Sequence, residues 1–175
     1  MIQDPSSAAL SSADEMYGVK IHRKSEVRLY LFTDFFRGFE KVEAVRSTFG
    51  ANTEEVLRNL KVEFFSMRFG YMAVSDVDGH MLISTHHLQN SEFKILYLDV
   101  IHELVHVKQF MDGKQLFSDE YEYADSPIEI EAYLVAVKEA RRIGMSEKEI
   151  VEYLKVEWLD PESHKRLAQA VGLVV

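Results

Sequence analysis

The chain of 175 residues is 47% hydrophobic and carries a formal charge of −9, apolar enough to bury one good-sized core, so a single domain is expected. The acidic balance opposes nonspecific attraction to nucleic acid and to anionic membranes, and the absence of cysteine excludes disulfides and thiolate metal sites. No apolar run reaches membrane-spanning length, and Met1 through Tyr17 carries Asp4, Asp14 and Glu15 without a basic-then-apolar leader pattern, which makes a cytoplasmic location the default expectation.

In chain order, Met1 to about Lys24 is rich in serine and small residues and reads as a flexible tail, residues 1–24. Ser25 to about Phe49 reads as a helix with aromatic packing at Phe32, Phe35, Phe36 and Phe39, stopped by Gly50, and a short capped helix follows from Asn52 to Leu60. The stretch from Val62 to Phe69 has β character. Tyr71 to Asp76 and His80 to Thr85 then flank Asp78-Gly79, a two-residue hairpin signal. Ser91 can cap a helix in which Phe93, Leu96, Val100, Ile101, Leu104, Val107, Phe110 and Met111 recur at helical spacing until Asp112-Gly113.

The next helix opens on Ser126-Pro127-Ile128-Glu129, with a cap serine, a proline at the first helical position and a glutamate three beyond the cap, and runs through Ile143 to Gly144. Ser146 and Glu149 repeat the capping-box pattern for a helix to about Leu159, and Asp160-Pro161 begins a last one ending near Val171. The expected organisation is thus a tail followed by one domain over 25–175. Within it, helices occupy 25–60, a core 61–143 and further helices 144–175.

The chemistry lies in His102-Glu103-Leu104-Val105-His106. Residues four apart stand one above the other on a helix, so both imidazoles can bind one metal from a single face. Glu103, about 100° around the helix, reaches a water on that metal rather than the metal itself. A catalytic zinc site takes three protein ligands, and the following helix offers Glu129 and Glu131. With Ile128 at zero on a helical wheel, Glu129 falls at about 100° amid Ala132, Tyr133, Ala136 and Ala140, whereas Glu131 falls at about 300° amid Lys138, Arg141 and Arg142. Glu129 is therefore the expected ligand, since a carboxylate on an apolar face needs a partner. The competing reading is that Glu129 closes a capping box on Ser126, a role that uses the same oxygens.

On these residues the chain resembles the gluzincin metallopeptidases, the thermolysin-like class in which a His-Glu-x-x-His helix is followed by a glutamate ligand on a second helix. The resemblance covers roughly Val62 to Arg142. Glu129-Ile130-Glu131-Ala132 matches the Glu-x-x-Ala pattern of such enzymes, 23 positions after His106, and the short chain looks more like the single-domain minigluzincins. The resemblance implies an α+β, zincin-like fold in which a small twisted, mostly antiparallel-edged sheet packs on the two helices. It also implies zinc as cofactor and peptide or protein substrates, cleaved as by an endopeptidase. An extended substrate would then pair with an edge strand, expected at Tyr71, Met72, Ala73, Val74, Ser75 and Asp76.

One departure matters: Tyr133 stands where many thermolysin relatives carry an aspartate that orients a zinc histidine. That orientation would have to come from Asp99 or from an acid in the 119–125 loop. Tyr123 and Tyr133 are candidate hydrogen-bond donors to a developing oxyanion, while His80, His86 and His87 read as hairpin or surface histidines. A non-peptidase zinc hydrolase on the same site and a non-catalytic, zinc-stabilised module that binds peptides or partners are the alternative functions. Latency is a further expectation: Asp4, Asp14 or Glu15 from the tail, or the carboxylate after Leu173-Val174-Val175, would cover the metal, against simple packing or disorder of both ends.

Overall fold

A computed structural model describes residues 13–68 and 71–175, in two compact units that divide the chain between Leu96 and Tyr97. The fold is α+β, about half helical, with two small sheets. Among the described residues no helix is long and apolar enough to cross a membrane.

The first unit opens with an antiparallel pair, β1 (Ala13–Met16) and β2 (Val19–His22). Tyr17 and Gly18, both at positive φ (55° and 78°), make the two-residue turn whose twist suits a hairpin. The expectation of a loose tail through Lys24 is thus corrected from residue 13 onward. Val19 and Ile21 are fully buried, and a strand with such a face is held by its core rather than released by the serines before it. Asp14 is bonded to Arg23 and Glu15 pairs with Lys20, so both acids of the expected cover are spent on neighbours. Asp4 lies outside the described residues.

The second correction concerns 25–49. Instead of one helix the chain makes β3 (Leu29–Leu31), α1 (Phe32–Phe35), β4 (Phe36–Arg37), a 3-10 turn (Phe39–Lys41) and α2 (Glu43–Phe49). The phenylalanines do pack: Phe32 stacks on Phe36 at 5.0 Å and meets Phe39 edge-on at 5.8 Å, all three buried. Helix gives way to extended backbone already at Phe36, and Gly38 then turns the chain with φ +89°, so near the first hairpin that an added Cβ would sit 2.5 Å from the Gly18 carbonyl oxygen. β4 pairs with β2 there, and only glycine permits that approach.

After α3 (Thr53–Asn59) come β5 (Lys61–Phe65), β6 (Met72–Val74) and β7 (Met81–Ser84), which join β3 in a mixed sheet of order β3-β5-β7-β6. β5 and β7 are parallel, the other two pairings antiparallel. The β6–β7 hairpin exists, but Ser75 N bonds His80 O, and Gly79 N bonds Ser75 O. Its loop is therefore Asp76 to Gly79, four residues rather than two. β6 is an edge strand, three residues within the expected Tyr71–Asp76.

An unexpected short helix, α4 (Thr85–Asn90), follows, capped by the Ser84 hydroxyl. Ser91 closes α4 by donating its N–H to His87 O, and the next helix, α5 (Phe93–Met111), begins two residues later. His87 is buried and bonded to the Ser91 hydroxyl, 2.8 Å away.

The second unit holds α5 from Tyr97 onward, a 3-10 turn (Tyr123–Asp125), α6 (Pro127–Arg142), α7 (Glu147–Tyr153) and α8 (Pro161–Ala170). The small residues Ala132, Ala136 and Ala140 are buried on one face of α6, as the wheel requires. A buried polar clamp joins α5 to α6. Tyr97 donates its hydroxyl to Glu139 at 2.5 Å, and Arg142 holds the same carboxylate at 2.6 and 2.8 Å. α7 carries the expected Ser146–Glu149 capping box but ends at Tyr153, and Asp160 caps α8 through the amides of Glu162 and Ser163.

Candidate metal centre

Three side chains converge in the second unit. α5 carries His102 and His106 one turn apart, and both are buried. Their Nε2 atoms lie 3.0 Å from each other, and Glu129 Oε2, from the first turn of α6, lies 3.3 Å from that of His102 and 3.5 Å from that of His106. Metal bonds of about 2.0–2.1 Å in a tetrahedron put ligand atoms roughly 3.3 Å apart, so the triangle has the size of one tetrahedral face. Two imidazole nitrogens and a carboxylate oxygen suit zinc and leave a fourth position for water or substrate.

The orphaned atoms support the same fit. Glu129 Oε2 is buried without a hydrogen-bond partner of good geometry, and Ser126 makes no side-chain bond at the start of α6. The capping-box reading of Glu129 is therefore corrected: its carboxylate serves the histidines instead. Burial alone would raise the Glu129 pKa, but the two imidazoles hold it well below the usual carboxylate range. Burial alone would lower His106, yet Glu129, with Glu103 nearby, carries it up to about 9. The site's field thus favours positive charge, as a cation site must. His102, His106 and Glu129 are also the group of metal-ligating type found among the described residues with its ligand atoms all within 4.8 Å of one another.

Glu103 is buried beside this group, and its Oε2 has no partner. Burial raises its pKa, against the pull of His106 and His102. A carboxyl so placed is suited to accept and return a proton.

Around the three side chains, Tyr133 lays its ring against His102, centroids 4.3 Å apart, so it packs on that imidazole. His102 Nδ1 has no hydrogen-bond partner among the described residues. The hydroxyls of Tyr133 and Tyr123 lie 3.0 Å apart, and burial pushes both phenols well above their ordinary pKa. Asp99 adds negative charge that helps to raise Tyr153, whose main cause is burial. Two acids of the 119–125 loop, Glu122 and Asp125, are taken by Arg166 on α8, at 2.6 and 3.2 Å.

The residue missed by sequence reasoning is Gln109. Its Oε1 lies 2.7 Å from His106 Nδ1, and the side chain is buried. The signal was available: Gln109 follows His102 by seven positions, two helical turns, and so shares its face. Glu131, expected to face solvent, is half exposed as predicted but accepts from Gln109 Nε2 at 2.8 Å and from Lys114 at 2.7 Å. The histidines of the first unit, His80, His86 and His87, and the strand Met72–Val74 are not among the ligands. Compared with protein-family models, curated proteins and solved structures, the chain gives no match.

Proposed function

We propose that this chain is a zinc-dependent peptidase of gluzincin type with a zincin-like fold, in which His102, His106 and Glu129 hold the metal and Glu103 is the general base. The observation that supports this most is the convergence of three ligand atoms at tetrahedral spacing, beside Glu103, whose buried Oε2 has no hydrogen-bond partner among the described residues. Zinc bound there would supply the Lewis acidity that brings a water's pKa toward neutrality.

Glu103 does the proton work. Its buried carboxyl, raised in pKa, takes a proton from the attacking water and passes it to the leaving nitrogen of the peptide bond. The phenols of Tyr123 and Tyr133, kept protonated by burial, can donate hydrogen bonds to negative charge developing on the carbonyl oxygen.

The test has two arms. Metal analysis of the purified protein should give one zinc per chain, and an unstructured protein substrate should be cleaved by the wild type but not by Glu103→Gln with its zinc retained. Zinc content near zero with no uptake on titration ends the proposal. Zinc uptake without any hydrolysis leaves a zinc-stabilised binding module.

A further inference from the structure

Gln109 sits in a chain of contacts that leaves no freedom in how it is oriented. Its Nε2 lies 3.0 Å from the Ile128 carbonyl oxygen and 2.8 Å from Glu131 Oε2. Both are acceptors only, so this end of the amide must be the donor. The other end, Oε1, is then the atom 2.7 Å from His106 Nδ1, and an oxygen there can only accept. His106 must therefore carry a proton on Nδ1, so Nε2, 3.0 Å from His102 Nε2 and 3.5 Å from Glu129 Oε2, is the nitrogen that remains for a metal once any proton on it is displaced. Lys114 Nζ, 2.7 Å from the same Glu131 oxygen, anchors the far end of the chain at the surface.

We infer that Gln109 is a positioning residue that locks His106 in the Nδ1–H form and ring orientation needed for metal binding through Nε2, and that Lys114 and Glu131 hold Gln109 in place. The inference rests on the proposed zinc site but names residues that touch neither metal nor substrate. The device suits this chain because the orientation of His106 relies on an amide that donates on one side and accepts on the other. A carboxylate at 109 would set negative oxygen against the Ile128 carbonyl and the Glu131 carboxylate. His102 lacks such a partner on Nδ1 and is steadied by the Tyr133 ring, so the two imidazoles are oriented by different means.

The experiment measures zinc affinity by competition with a chelator, and observes the His106 Nδ1–H proton by nitrogen-edited NMR of the zinc-loaded protein. Gln109→Leu keeps the volume and removes the bond; affinity should fall by about 10–100-fold, and the Nδ1–H signal should be lost to fast exchange with solvent. Gln109→Glu should also weaken zinc, and adding Glu131→Gln, which restores a donor facing the new carboxylate, should recover most of the loss and the slowly exchanging signal. Because Glu131 is at the surface, Glu131→Ala alone serves if Gln109→Leu fails to fold: it removes the acceptor of Gln109 Nε2 and should speed exchange of the Nδ1 proton.

Wild-type affinity in Gln109→Leu with the Nδ1–H signal unchanged overturns the inference, as does a double variant no better than Gln109→Glu. These outcomes are distinct from failure of the metal site itself, in which the wild type takes up no zinc.

Discussion

Among the described residues two groups join histidine to carboxylate, built from nearly the same side chains in different surroundings. In the first unit His80 stands between Asp78, which its Nδ1 faces, and Glu63, 3.0 Å from its Nε2. Both ring nitrogens are spent on carboxylates, which are half exposed at 50% and 59%. Pairs so exposed contribute little to stability. In the second unit two buried histidines and one largely buried glutamate bring their ligand-type nitrogen and oxygen atoms within 4.8 Å of one another. Composition does not separate the groups. What separates them is burial together with convergence, because an enclosed set of lone pairs is costly without a cation and an exposed set is not.

The largest test of this contrast removes one imidazole from the buried group. His102→Ala or His106→Ala should abolish stoichiometric zinc binding, with a loss of affinity of at least roughly 10³-fold by competition with a chelator. Next, Glu103→Gln should keep the metal and lower peptide hydrolysis by about 10²–10⁴-fold, measured as turnover of an unstructured substrate at saturating zinc. If that variant cleaves as well as wild type, Glu103 is not the base.

Within α6 the two glutamates should separate cleanly. Glu129→Ala is expected to weaken zinc by about 10²-fold or more, and Glu131→Ala, acting only through Gln109, by less than about tenfold; the reverse order would mean that Glu131 supplies the ligand oxygen. At the bottom of the scale, His80→Ala should leave zinc stoichiometry unchanged and shift unfolding free energy by no more than about 1 kcal/mol in denaturant titration. Loss of zinc in that variant would break the comparison.

Much of the buried site was legible because its signals are local. The spacing of His102, Glu103 and His106 shows one helical face, and the wheel separates Glu129, amid Ala132 and Ala136, from Glu131. Gln109 lies on the same face and was readable by the same rule, but a glutamine announces no chemistry until its hydrogen bonds are known. The first unit was less legible. The phenylalanines at 32, 35, 36 and 39 do form a core, yet their spacing suited one helix where the fold makes a strand, a single helical turn and a second strand. The hairpin at 13–22 was hidden because its turn, Tyr17-Gly18, is a weaker signal than Asp78-Gly79, whose own loop proved longer than the dipeptide suggests.

By itself the sequence determined the helix that carries His102, Glu103 and His106, the start of α6 at Pro127, the side of α6 that carries Glu129, and that any metal held here must use nitrogen and oxygen ligands. Periodicity, caps and composition act over a few residues and need no knowledge of the rest of the chain. Only the tertiary structure decided that Glu129 turns to the histidines rather than to Ser126, that Gln109 holds His106 while Tyr133 packs on His102, and that the Phe32–Phe39 stretch leaves helix at Phe36 and turns where Gly38 meets Gly18. Each of these is a choice among partners with similar local appeal, and the choice is made by groups many residues away whose positions exist only once the chain has folded.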